Sequence, residues 1–142
     1  MAVRTLPPAA RRPIAAIWFA AFALLFTVLF FLRVTMASHA VILYIVLPSL
    51  AAGIAGYIWG GAILDSRVKT YGQSVLRGLG VSAGAYLIFA VLYACVLPVL
   101  EGKWSLGRVG SLFLFTLMLG ILMGGPLAAA TSASQRRQFL PT

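Results

Sequence analysis

The residues with the means to do chemistry are few. The 142-residue chain holds one histidine, one cysteine and two acidic residues against eleven lysines and arginines. His39 is the only imidazole, and a neutral imidazole is a good ligand for a haem or chlorophyll metal. As a cofactor-binding residue it is a weak candidate, because a lone histidine cannot make a bis-histidine site. Cys95 allows no internal disulfide, and the chain has no cysteine-rich metal motif. Asp65, Arg67, Lys69 and Arg77 form an interfacial polar group, with Asp65 expected to pair with Arg67 or Lys69. Asp65, Arg67 and Tyr71 are the only cluster that could serve an enzyme acting on lipid. No serine–histidine–aspartate set, paired carboxylates or metal cluster emerges, so no catalytic residue, metal site or cofactor is assigned. The chemistry leans away from an enzyme.

The surroundings of these residues explain their scarcity. Hydrophobic residues make up 62% of the chain and charged residues 9%, against about 25% charged in soluble domains. Too little polar surface remains to wet a soluble particle, so the expected solvent is lipid. A net charge of +9 also suits nucleic-acid binding. Here, however, the cations fall in short groups between apolar runs, which is the pattern that orients membrane helices. No nucleic-acid partner is expected.

A bilayer core of about 30 Å takes about 20 apolar residues in a helix. Four stretches qualify, at about 14–32, 40–64, 79–100 and 106–130. The expected fold is therefore all-α, a four-helix transmembrane bundle forming a single domain. Basic tails flank it at residues 1–13 and 131–142. The first stretch has an apolar core longer than the roughly 7–15 residues of a signal peptide, and it is taken as a retained helix. Between the second and third stretches, Leu64, Val68, Tyr71 and Val75 recur at helical spacing. They describe one short amphipathic connector at the cytoplasmic membrane surface, or a wet extension of the second helix, interrupted at Gly72.

Counting cations gives orientation. Arg4, Arg11, Arg12, Arg67, Lys69, Arg77, Arg136 and Arg137 fall on one side, and Arg33, Lys103 and Arg108 on the other. Eight against three predicts both termini in the cytoplasm, with the chain in a bacterial inner membrane.

Small residues supply the most organised pattern. Gly56 and Gly60, Gly80 and Gly84, and Gly120 and Gly124 are spaced by four, and Gly53 extends the first pair. Such pairs let helix backbones approach closely in lipid, and they predict tight packing among the second, third and fourth helices. The first helix differs, with Phe19, Phe22, Phe26 and Phe30 expected to face lipid or a partner. No acid sits at mid-depth, which argues against a proton-coupled pump.

Three functions fit these features. The foremost is a non-catalytic accessory, assembly or scaffold subunit of a larger membrane complex, partnered by other membrane subunits or by its own copies. The next is a small homo-oligomeric channel or transporter for an uncharged or lipid-like substrate. The last is a lipid-modifying enzyme.

Overall fold

A computed structural model of the chain describes residues 6–31, 41–65 and 70–139, with only the backbone of 30–31, 115–127 and 139. The described residues are mostly helical and hold no strands. Helix α1 runs Pro8–Phe31, α2 Leu47–Trp59, α3 Tyr71–Leu100 and α4 Leu106–Phe139. Among the described residues, three helical stretches are long and apolar enough to cross a membrane: Pro8–Leu29, Ile42–Ala62 and Tyr71–Leu100.

Local sequence explains the irregular ends of α2. Pro48 has no N–H to offer the Tyr44 carbonyl, and its ring crowds that carbonyl. The chain answers with a wider π-helical turn over Ile42–Val46, in which the Leu47 N–H donates to the Ile42 carbonyl. Ser49 Oγ satisfies the Ile45 carbonyl at 2.8 Å. At its far end α2 tightens into a 3₁₀ turn over Gly60–Ala62 and delivers Ile63 and Leu64 into the interior, both essentially inaccessible.

Three helices outrun the apolar stretches that suggested them, α1 starting at Pro8, α3 starting at Tyr71 and α4 ending at Phe139, whereas α2 stays within its stretch. The expected amphipathic connector is the clearest difference: Tyr71–Gly78 are the first turns of α3 itself. Thr70 begins the helix in extended conformation, its hydroxyl accepting from the Gln73 N–H at 3.3 Å. A capped start satisfies a free amide donor of the first turn, and Gly72 does not interrupt the helix. The tail is likewise helical, with α4 continuing to Phe139.

Successive helices run antiparallel and pack in sequence, α1 on α2, α2 on α3 and α3 on α4, with α4 also touching α1. The glycines of α2 face α1 rather than the later helices. A β-carbon on Gly56 would lie 2.9 Å from the Ala15 carbonyl oxygen and 3.0 Å from Ala16 Cα. On Gly60 it would lie 2.6 Å from Ala15 Cβ, and on Gly53 3.4 Å from Ala20 Cβ. Two small-residue faces thus bring the α1 and α2 backbones together. Gly84 of α3 is covered by the Trp59 ring, whereas a side chain on Gly80 would meet nothing. The surroundings of Gly120 and Gly124 lie outside the described residues.

Phe19 belongs to the core, not to an outward face. It is 4% exposed and clusters with Ala23, Ala52, Ala55, Ile63 and Val81. Its ring fills the space beside Gly60, where the missing side chain leaves room. Phe22 is half-buried and stacks on Trp18 at 5.5 Å, and Phe26 is exposed. The Phe30 side chain lies outside the described residues. The outward face of α1 is mostly aliphatic, with Ile17, Leu24, Leu25, Val28 and Leu29 beside Phe26.

Gly56→Val is expected to lower stability by about 1–3 kcal/mol, because the added atoms strike α1 backbone that cannot retreat. Gly80→Ala should leave stability unchanged or raise it, since Gly80 faces open space and alanine is the better helix former. Thermal midpoints of both variants in one detergent check the contrast.

Candidate functional site

Polar and charged side chains gather at the two ends of the helices. At one end, which we call the basic end, the start of α1, the exit of α2, the start of α3 and the end of α4 come together. Helix α1 delivers Arg11 and Arg12 there. Arg11 Nε donates to the Leu6 carbonyl at 3.0 Å, and its Nη1 lies 3.5 Å from Asp65 Oδ1. The Arg12 stem lies over Gly61, whose missing side chain leaves the space. Arg77, on the second turn of α3, donates through Nη1 to the Ala62 carbonyl. That carbonyl belongs to the last turn of α2, where backbone acceptors have no partner within the helix. A cation there also suits the negative end of the α2 dipole.

The α3–α4 contact at this end is polar. Ser74 and Ser82 of α3, and Thr131, Ser132, Gln135 and Arg136 of α4, are all buried. Gly78 lets the helices close, since a side chain there would collide with Ser132 Oγ and approach the Ala128 carbonyl at 3.0 Å. Ser132 Oγ donates to that same carbonyl at 2.6 Å. The Arg136 guanidinium lies over the Tyr71 ring, 4.9 Å from its centroid, a cation–π contact.

The opposite end is built around a tight turn. Gly102 takes the left-handed conformation, φ 63°, and the Lys103 N–H reaches back to the Pro98 carbonyl at 3.0 Å. This reversal needs a residue without a β-carbon. Arg108 then pairs with Glu101. Somewhat deeper, the Tyr44 and Tyr93 hydroxyls lie 3.3 Å apart, with Phe89 5.7 Å from the Tyr93 ring.

The interfacial polar group expected from sequence is therefore divided. Asp65 sits near Arg11 of α1, not only among its chain neighbours, and Arg77 binds the α2 terminus instead. Arg67, Lys69 and His39 lie outside the described residues. Tyr71, proposed beside Asp65, contacts Arg136. Sequence reasoning missed the buried seam of Ser74, Ser82, Thr131, Ser132 and Gln135. Its signal was present as two serines eight apart at the start of α3, and as Thr131 and Ser132 four and three residues before Gln135 at the end of α4. It also missed the Tyr44–Tyr93 pair, 49 positions apart, for which the sequence holds no signal.

Among the described residues no group of three or more histidines, cysteines or acids could hold a metal ion. Cys95 is exposed on α3. Both carboxylates of the chain are engaged by arginines, Asp65 by Arg11 and Glu101 by Arg108. No protein family, no curated protein and no solved structure matches the chain.

Arg77→Gln is expected to cost about 1 kcal/mol by leaving the Ala62 carbonyl without its charged donor. Arg11→Gln should cost less, because a half-exposed ion pair contributes under about 1 kcal/mol. Unfolding titrations of the two variants in mixed micelles test the order.

Proposed function

We propose that the chain is a four-span protein of a bacterial inner membrane, with both termini cytoplasmic, and that it acts as a non-catalytic accessory, assembly or scaffold subunit. The observation that carries this reading is the treatment of its only two acids. Each is held at a helix end by an arginine, so neither is placed to relay protons or activate a nucleophile. The protein offers instead broad apolar faces, with little chain outside the helices. Those of α1 and α3, carrying Ile17, Leu24 and Leu29 and Leu76, Leu87 and Val91, are exposed in the single chain. In a membrane such faces meet lipid or other helices. With 34 residues, α4 reaches about 51 Å at 1.5 Å per residue, enough to supply the fourth crossing.

Purification from native membranes in mild detergent should bring down stoichiometric partner subunits. A clean, stable monomer would overturn this reading. The membrane placement has its own test. Cys95 points outward one or two turns from the end of α3, so it should meet lipid rather than water. In intact membranes it is expected to react with a permeant maleimide and resist a charged one; rapid reaction with the charged reagent contradicts the assignment.

One observation favours a second reading, a homo-oligomeric channel or transporter for an uncharged substrate. At its basic end the α3–α4 seam carries neutral hydrogen-bonding side chains beside Arg136, a lining that suits such a solute at the mouth of a path. Flux of small uncharged solutes into proteoliposomes containing only this protein decides it, and no flux across a broad panel sinks it.

A further inference from the structure

Ser74 and Gln135 stand apart from the other buried polar residues. Neither side chain is accessible at all. Ser74 Oγ and both polar atoms of Gln135 have no hydrogen-bond partner. The register of the two helices sets these residues at one level. Tyr71, three residues before Ser74, meets Arg136, the neighbour of Gln135, and Gly78, four residues after Ser74, meets Ser132, three residues before Gln135. Two complementary groups thus face the same seam without bonding, enclosed too tightly for water to reach them. Buried orphan donors and acceptors are rare in folded proteins, because each has given up hydration for nothing.

Helix length decides where this happens. Helices α3 and α4 hold 30 and 34 residues, or about 45 and 51 Å at 1.5 Å per residue, against a hydrocarbon core of about 30 Å. The tight turn at Glu101–Ser105 aligns their other ends, so the excess falls at the basic end. Ser74 is the fourth residue of α3 and Gln135 the fifth from the end of α4. Both lie in this overhang, beside water they do not touch.

We infer that the overhang is a two-state element, in which the last turns of α4, Thr131–Arg136, part from α3 to hydrate Ser74 and Gln135. Arg136 over Tyr71 and the close Gly78–Ser132 contact hold the closed state, and the three orphaned atoms oppose it. The rest of the α3–α4 seam stays shut. Farther along α3 the buried residues are Ala90, Ala94 and Pro98, which gain nothing from water. This inference does not depend on which function the chain performs; it supplies the part of the chain able to respond to a partner or a solute.

Amide hydrogen exchange of the full chain in lipid nanodiscs tests it. Amides 131–138 of the wild type should exchange faster than those of 90–97, through an opening that Gln135→Leu suppresses about tenfold, since removing the orphaned amide group, two of the three atoms, restores roughly a decade in the equilibrium. Ser74→Ala should act in the same direction by a smaller factor, and it keeps the test open should Gln135→Leu fail to insert. Wild-type amides as slow as those of 90–97 would overturn the inference. So would fast exchange that neither substitution slows, because the helix end would then merely fray.

Discussion

Everything else in the fold rests on the distance between two backbones. Helices α1 and α2 meet where Ala15, Ala16 and Ala20 oppose Gly53, Gly56 and Gly60. At Gly56 not even one methyl group fits. In the proposed membrane setting lipid gives apolar helices no hydrophobic reason to associate, so attraction there comes from dispersion contacts that only near-bare backbones bring within range. This approach fixes the rest of α1. It turns Phe19 inward against Gly60, and it leaves the aliphatic residues outward. It also carries Arg11 and Arg12 to the exit of α2, where they meet Asp65 and the space beside Gly61.

The two helix pairs solve the same packing problem with different side chains. Alanine and glycine make the middle of the α1–α2 contact. At the basic end of α3–α4 the contact also depends on one glycine, Gly78, but the residues around it carry hydroxyl and amide groups. Their small size permits closeness while their polarity demands partners, and the seam meets only part of that demand. Stability and mobility are thereby assigned to different halves of the same protein.

How much of this the sequence discloses depends on the range of the interaction concerned. Helical character is legible throughout, because it follows from long apolar runs and from local breakers such as Pro48 and Gly102. The small-residue stripe of α2 is legible as a packing face, but not its partner. Glycine spacing says that something approaches, and only the antiparallel return of the chain shows that α1 does. Phe19 is hard to place for a related reason. Its spacing to Phe22 and Phe26 marks a face, yet its own inward position depends on the space that Gly60 leaves in another helix. Helix ends were understated because hydropathy ends at Leu79 and Ala130, whereas the hydrogen-bonded helix needs only a cap at Thr70 and no breaker before Phe139. The Tyr44–Tyr93 approach, between helices far apart in sequence, leaves no local trace.

The turn at Glu101–Ser105 bears on how such a chain enters a membrane. Under the proposed orientation, inserting α3 and α4 means moving Glu101, Lys103 and Arg108 through hydrocarbon, where an isolated charge is costly. With five residues between them, the two helices have too little slack to cross separately. They must pass as a preformed hairpin, and in that hairpin Arg108 already neutralises Glu101. What is carried across is then a single uncompensated ammonium, at the tip of a turn whose left-handed glycine lets it be as narrow as the two helices it joins.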